Sequence, residues 1–396
     1  MNSKERILSA LTGKGVDYIP CAPTFWRGPN FWRPVEEVNF DVDPKLNDIN
    51  KHVDNKYRWS TLEEQINVML NVLGVDPVLS IDVSFSKNLK NVEEKKWIEK
   101  KGERKILHKE FHTPAGILSA SVNLEHWPHG EDIPFCTNWV ASYTKYWVES
   151  LEDIEKLKYV LLAPDDESMK KDIESNKQMF SLARKYQLPI CSSIGAGLTR
   201  LLQLMGADNV CIATIERPEI IESYLEYEHS LNKKRMEIAI DFGVDFFGRD
   251  GFYETCDFYS PQQLESFLKS HLEEEIDVAH SAEKPIYYTL CTGIMPMLDY
   301  ANKLNFDCIN SIEPALDNND LRKIDNSLPG KTLWTGVSAP IHIGSDNEED
   351  VREAVRYAIK NVNHLILGVA PSIRNYWHFE NTLAMIDEWK HLKTKN

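Results

Sequence analysis

Eight short runs rich in β-branched residues, each followed by a longer helical pattern, dominate this sequence. Such alternation predicts parallel strands joined by helices. A doubly wound sheet is the main alternative, but no Gly-rich phosphate turn follows the first run. The sequence therefore predicts an α/β protein built as a (β/α)8 TIM barrel. The eight runs are 19–22, 77–84, 188–194, 245–250, 285–291, 306–313, 331–338 and 364–370.

One segment, 95–124, does not follow the repeat. It alternates apolar and polar residues and has turn signals at 101–102 and 114–116, which predicts a β-ribbon of two or three antiparallel strands. We expect an insertion after the second strand, covering about 88–140, in a chain that is otherwise one domain over 1–396. Loops after barrel strands lie at the catalytic face, so the ribbon is a candidate lid. A dimer contact or a solvent-facing flap is the alternative.

The charge balance limits the partners of this chain. Its 45 Lys and Arg residues against 61 Asp and Glu give a net charge of −16. This excess disfavours nucleic-acid and membrane partners, which need a basic surface, and substrates with many carboxylates. No apolar stretch approaches the length of a membrane span. The seven cysteines are scattered without a CxxC pair, which favours a reducing compartment, so we expect a cytoplasmic protein.

In a barrel, side chains at the carboxyl ends of strands point into the active site. Arg249 and Asp250 are adjacent there, and such a pair suits anion binding or proton transfer, although a structural ion pair is the alternative. We expect Gly248 and Gly251 to leave backbone space for a ligand. The strand-end residues taken as candidate catalytic, substrate-binding or metal-binding groups are Asp82, Arg249, Asp250, Tyr288, Cys291, Glu313 and Ser338.

Cys291 and Glu313 end neighbouring predicted strands, where a thiolate and a carboxylate can share one Zn²⁺ if a further ligand is present. Two ligands do not hold zinc, so the sequence shows half a site. An ordinary buried cysteine beside a polar glutamate is the alternative. The possible additional ligands are Cys256, His126 and His129.

An aromatic loop, 23–34, follows the first predicted strand. Its tryptophans can stack on a flat ligand and its arginines can pair with a carboxylate, or the loop can cap the barrel. The candidate substrate-binding residues outside the strands are Trp26, Arg27, Trp32, Arg33 and His126. The sequence contains no HExxH, GxSxG or P-loop motif.

The opening SKERILSALTGKGVDYIPCAP resembles that of the uroporphyrinogen decarboxylase superfamily, in which a helix, a Gly-containing turn, an Asp and a Pro precede strand one. The later segments FFGRDGFYE, KTLWTGVSAP and HLILGVAPS agree in order, so the similarity spans essentially the whole chain. The resemblance implies a TIM barrel that is commonly a homodimer.

Two activities occur in this superfamily. The decarboxylases are expected to need an Arg-rich segment after strand one and a His in the strand-eight turn. Here Arg27 and Arg33 lack the characteristic spacing, the turn GVAPSIRN has no His, and Asp82 stands near the place of the catalytic Asp in a poorly matching context. The departures therefore disfavour decarboxylation of porphyrinogens.

The corrinoid-dependent methyltransferases form the other branch. Their zinc site resembles a His-x-Cys at the end of strand five with a Cys after strand eight. The first Cys of that pattern maps to Cys291, but its His position is Thr289 and the last Cys is missing near Ser372. Glu313 is placed like the glutamate ligand of the related cobalamin-independent methionine synthases. Zinc is therefore uncertain for this chain.

The resemblance leads to one hypothesis and two alternatives. We expect a corrinoid-dependent methyltransferase that moves a methyl group between a small molecule and a corrinoid protein, the small molecule being a methylated donor or a tetrahydrofolate-like acceptor. Asp250 and Arg249 would position or protonate the small molecule, with Cys291 and Glu313 near the methyl group. A porphyrinogen decarboxylase and a non-catalytic ligand-binding barrel are the alternatives.

Overall fold

The computed structural model describes residues 1–25, 53–125, 127–137, 139–345, 347–374 and 377–393. No helix within these ranges combines the length and the apolar character needed to cross a membrane. The α-helices are α1 Ser3–Leu11, α2 Leu62–Asn67, α3 Leu151–Leu157, α4 Asp166–Tyr186, α5 Gly197–Met205, α6 Ala207–Glu216, α7 Pro218–Phe242, α8 Pro261–Ser281, α9 Leu298–Lys303, α10 Leu321–Ser327, α11 Glu348–Asn361 and α12 Phe379–Leu392. The strands are β1 Leu79–Ile81, β2 Glu93–Lys101, β3 Arg104–Thr113, β4 Gly116–Asn123, β5 Tyr143–Lys145, β6 Ile190–Ile194, β7 Phe246–Asp250, β8 Ile286–Thr289, β9 Cys308–Asn310, β10 Thr332–Ser338 and β11 Leu365–Ala370.

Seven strands form one curled sheet in the order β1-β6-β7-β8-β9-β10-β11, and all neighbouring strands are parallel. Each strand falls within one of the predicted runs, from the second to the eighth. Helices separate most of the successive strands, as crossover connections between parallel strands require. The predicted α/β class and the parallel arrangement are therefore confirmed.

The first predicted strand, 19–22, forms one parallel bridge, between Cys21 and Leu367, and no extended ladder. Pro20 and Pro23 flank this bridge, and a proline has no N–H to donate to a ladder. On its other side, the N–H of Asp76 donates to the Cys21 carbonyl at 2.7 Å, shortly before β1 begins. The described fold is a half-barrel, and closure into a full (β/α)8 barrel stays a prediction.

A separate antiparallel sheet has the order β2-β3-β4-β5. Three of its strands lie in or overlap the segment predicted as a ribbon, with turns close to the predicted positions. β2 is exposed along its whole length, whereas alternate residues of β3 and β4 are buried, including Leu107, Phe111 and Leu118. That this sheet is an insertion into a barrel stays a prediction.

The amino ends of the parallel strands are covered by α1. Its N-cap is Asn2, whose side chain accepts a hydrogen bond from the Glu5 N–H. Ile7 and Leu11 pack in one buried cluster with residues that point inward from the strands, including Phe246. Because α1 fills this end, the opposite, carboxyl ends of the strands remain for a functional site. The inward-pointing strand residues of this cluster are Cys191, Phe246, Cys308, Trp334 and Ile366.

Candidate functional site

The alternation of side chains along β7 separates the predicted pair Arg249 and Asp250. Successive residues of a strand point to opposite faces. Phe246 lies in the inward cluster, so Asp250, four residues later, points inward at the carboxyl end of the strand. Arg249 points outward, and its Nε donates to the Glu275 carboxylate of α8 at 2.9 Å. We call the inward region at the carboxyl strand ends the mouth.

Arg249 belongs to a buried ion network between the sheet and the helices. Its side chain is 3% exposed, and its Nη2 lies 3.4 Å from Oε1 of Glu254, which is fully buried. Glu275 also accepts from Nδ2 of Asn232 on α7 at 2.9 Å. Buried charges need such partners, because only their attraction and hydrogen bonds offset the free-energy cost of removing the charges from water. The geometry gives Arg249 a structural position in this network.

Tyr288 joins the same network. It is fully buried on the outward face of β8, stacks on Phe306 with ring centroids 4.7 Å apart, and donates its hydroxyl to Glu254. Burial raises the pKa of Glu254 to about 7, against the opposing effects of Arg249 and the Tyr288 hydroxyl. The predicted substrate-binding residue Tyr288 therefore lies in the helix layer and not at the mouth.

The expectation that Gly248 and Gly251 leave space for a ligand is wrong. A Cβ atom at Gly248 would overlap the ring of Tyr287, and one at Gly251 would overlap the ring of Tyr288. The absent side chains make room for two tyrosines. Glycine is required here for packing and not for ligand access.

The turn between β6 and α5 lies over the ion network. Gly197 has a left-handed backbone with φ of +44°, and a Cβ atom there would overlap the Glu254 carboxylate. The N–H groups of Ala196 and Gly197 donate to Glu228 at 3.0 and 2.7 Å. The N–H of Leu198 donates to Glu254 at 2.8 Å. The amides that begin α5 are therefore already paired with buried carboxylates.

Two carboxylates, Asp82 and Asp250, lie at the mouth, and the guanidinium groups of Arg235 and Arg200 both lie near Asp82. Asp82 is solvent-accessible, yet enough protein surrounds it to raise the pKa of its carboxyl, and the same desolvation raises the pKa of Asp250. Among the described residues, the Asp250 carboxylate accepts one hydrogen bond, from the Phe252 N–H at 3.1 Å. Arg200 of α5 is close enough for its charge to lower both of these pKa values. The mouth therefore holds charged groups with unused hydrogen-bonding capacity.

Cys291 and Glu313 lie side by side, as predicted from their neighbouring strands. The Glu313 N–H donates to the Cys291 carbonyl at 3.0 Å. Glu313 is 1% exposed and Cys291 is 7% exposed. Burial and the nearby Glu313 carboxylate raise the pKa of Cys291 to about 12. Burial also raises the pKa of Glu313, which hydrogen-bonds with the Ser338 side chain. The thiol is therefore held neutral near pH 7.

This donor set does not fit zinc. A zinc-binding cysteine must be a thiolate, and a structural or catalytic site needs three or four protein ligands. Within the described ranges, no three His, Cys, Asp or Glu side chains are grouped so that they could hold a metal ion. His129, a possible further ligand, shares a hydrogen bond of 2.8 Å with Thr137. The described residues therefore do not provide a complete zinc site.

The sequence prediction overlooked two residues near the site, Arg200 and Glu254, and five predicted residues lie outside the described ranges. Both residues were missed because they lie a few positions beyond a strand end, and the prediction considered only residues at the strand ends themselves. The Gly-Ala-Gly turn 195–197 was the available signal for the first of them, since it leads directly into α5. The predicted residues that lie outside the described part of the chain are Trp26, Arg27, Trp32, Arg33 and His126.

A parallel α/β sheet with charged side chains collected at its carboxyl ends is the architecture of an enzyme. The family model described as uroporphyrinogen decarboxylase (URO-D) matches residues 106–392. The chain therefore belongs to the uroporphyrinogen decarboxylase family, which confirms the resemblance found in the sequence. No curated protein matches this sequence.

Two solved structures match this chain at low sequence identity. A methyltransferase from Methanosarcina mazei superposes with a TM-score of 0.62 at 14% identity, over 99% of each chain. A B12-independent methionine synthase from Shewanella sp. W3-18-1 gives a TM-score of 0.46 at 13% identity, covering 94% of this chain and 96% of the other. The first of these similarities shows a common fold.

Proposed function

We propose that this protein is a methyltransferase that moves a methyl group between a small molecule and the corrinoid of a separate partner protein. The observation that carries the proposal is Asp250, a carboxyl at the mouth whose pKa is raised by desolvation. The fold shared with a methyltransferase from Methanosarcina mazei supports it. A cytoplasmic location, expected from the scattered cysteines, and a homodimer, which the family resemblance implies, belong to the same proposal.

A raised pKa suits Asp250 to proton transfer. When a methyl group is transferred from an oxygen or nitrogen atom to a nucleophile, it moves as a methyl-cation equivalent and the bonding pair stays on the heteroatom. An acid that protonates this atom lowers the barrier. A carboxyl buried near the mouth keeps its proton to a higher pH than an exposed one. In the reverse direction the Asp250 carboxylate accepts the proton of the methyl acceptor. Asp250 therefore serves as the acid in one direction and the base in the other.

The mouth is compatible with a corrinoid delivered by another protein. Ser80 and Asp82 point inward from the β1 edge and are exposed, so this side of the mouth is open to solvent. The cobalt centre of the bound corrinoid would supply the group that accepts or donates the methyl. The residues of this chain bind and orient the small molecule, while Asp250 holds the proton at its carboxyl oxygen and Cys291 remains a neutral thiol.

The cobalt absorbance tests this proposal. With methylcob(III)alamin and a panel of thiol, amine and phenol acceptors, we expect the wild-type protein to change the absorbance with at least one acceptor. With cob(I)alamin, we expect the corresponding methylated donor to produce the reverse change. Absence of a change with every donor and acceptor would count against methyl transfer.

Replacement of Asp250 by asparagine should lower the rate of demethylation by about 10²–10⁴-fold, the usual contribution of a general acid. Burial raises the pKa of Asp250 above its ordinary value of 3.8. The protonated form is the active one in this direction, so the wild-type rate should fall as the pH rises through that raised pKa. The variant should lose this pH dependence.

Asp299→Asn is the matched control, because Asp299 is an exposed carboxylate on the surface of α9. It should keep the wild-type rate and the wild-type pH profile. An Asp250→Asn variant with an unchanged rate, or one that retains the pH profile, would contradict the assigned role of Asp250.

Decarboxylation of a porphyrinogen is the second candidate, because the family model carries the name of that activity. Incubation with uroporphyrinogen III, followed by chromatography of the products, separates the two. We expect no loss of carboxyl groups from the porphyrinogen, since the mouth presents Asp82 and Asp250, which repel a polyanion. Stepwise loss of carboxyl groups would favour the decarboxylase instead.

A further inference from the structure

Arg200 is the side chain at the mouth that the network described above does not use. It lies in the first turn and a half of α5, and its Nε is buried without a hydrogen-bond partner. Across the ranges that the structure describes, the Arg200 guanidinium forms neither a hydrogen bond nor an ion pair. A buried N–H left without an acceptor costs about 1–3 kcal/mol, so an acceptor is expected there in the working protein.

A second unpaired donor lies near it. Tyr224 of α7 is fully buried, its hydroxyl has no partner, and its pKa responds to the charge of Arg200. The neighbouring arginine, Arg235, already donates its Nε to the Val83 carbonyl at 2.8 Å. Glu228 of α7 also lies near Arg200, but its carboxylate is already paired with the amides of the turn at 195–197. The local carboxylates therefore do not take up the capacity of Arg200.

The surrounding charges select the kind of acceptor. Asp82 and Asp250 lie close enough to Arg200 for their charges to interact with it. Both carboxylates would repel a dianionic phosphate more strongly than a monoanionic carboxylate. Arginine presents a planar fork that matches a carboxylate in two parallel hydrogen bonds.

We propose that Arg200 binds a carboxylate group of the small-molecule substrate at the mouth. This inference rests on the proposed function in that it assigns the small molecule of the same site, and it names that molecule's class as a carboxylic acid. Arg200 then anchors one end of the substrate and leaves the other end beside Asp250. A single carboxylate is also compatible with the net charge of −16, which disfavours a polyanion.

Binding of simple ligands tests this without any corrinoid. The ligands are acetate and benzoate, their uncharged amides acetamide and benzamide, and inorganic phosphate, each titrated by calorimetry and by the shift in melting temperature. We expect at least one carboxylate to bind and to raise the melting temperature, and its amide to bind at least tenfold more weakly. This comparison uses the wild-type protein and does not depend on whether a variant folds.

Two variants assign the effect to Arg200. Arg200→Gln should weaken carboxylate binding at least tenfold, and Arg200→Lys should weaken it less, because the charge is kept and the planar fork is lost. The matched control Arg184→Gln, an exposed position on α4, should bind like the wild type.

Three results would overturn the inference: no binding of either carboxylate, equal binding of acid and amide, or carboxylate binding unchanged in Arg200→Gln. Phosphate binding tighter than carboxylate would also overturn it. If carboxylates bind through Arg200 but the cobalt absorbance does not change with any donor or acceptor, the carboxylate site is supported and methyl transfer is rejected. A positive cobalt assay without carboxylate binding would do the reverse.

Discussion

Replacement of Arg249 by methionine should destabilise the protein by about 3–5 kcal/mol, the cost of breaking a buried ion pair by removing one partner. The reason is that Glu254 and Glu275, both buried, would lose their shared cation. Methionine fills much of the volume of the arginine side chain, so the loss of stability reflects the missing charge more than a cavity. The measurement is the urea midpoint of unfolding, followed by tryptophan fluorescence and circular dichroism in parallel.

Arg184→Met is the control, since Arg184 is exposed on α4 and surface substitutions usually change the free energy of unfolding by no more than about 0.5 kcal/mol. A double variant that also carries Glu254→Gln should recover part of the loss, because fewer buried charges are left unpaired. A loss below about 1 kcal/mol for Arg249→Met would show that the guanidinium is not needed in this network.

Replacement of Gly197 by alanine should have an effect of similar or larger size. The left-handed backbone at φ of +44° costs an alanine about 1–2 kcal/mol by itself. The new methyl group would also overlap the Glu254 carboxylate and crowd the Arg249 guanidinium, so the ion network must shift. Disruption of that network adds up to about 3–5 kcal/mol.

Gly243→Ala separates these two contributions. Gly243 ends α7 with φ of +85°, and a Cβ atom there meets no atom within 4 Å. The stability of this control should therefore fall by about 1 kcal/mol, from the backbone conformation alone. Equal melting temperatures for the two alanine variants would mean that the turn at 195–197 does not press on the network.

The strands were predictable from the sequence because their apolar runs are local. Parallel pairing followed from the intervening helical patterns, and seven of the predicted runs contain strands in the described structure. The exception, 19–22, shows the limit of hydrophobic pattern alone, since Pro20 and Pro23 restrict its pairing to a bridge.

The site was predictable only in part. A rule that collects strand-end residues ignores the alternation of faces, so it placed Arg249 and Tyr288 at the mouth with Asp250. Their partners Glu275 and Asn232 come from distant helices and carry no local signal. The adjacency of Cys291 and Glu313 was predicted, because neighbouring strand ends meet in a parallel sheet. The neutral state of the thiol depends on burial, which sequence spacing does not report.

The most direct test of methyl transfer follows a ¹³C-labelled methyl group. Methylcob(III)alamin carrying the label is incubated with the protein and with thiol, amine and phenol acceptors that each bear a carboxylate, and the products are read by mass spectrometry. The account predicts labelled product with the wild-type protein, at least 100-fold less with Asp250→Asn, and wild-type levels with Asp299→Asn. Label that remains on cobalt with every acceptor would contradict it.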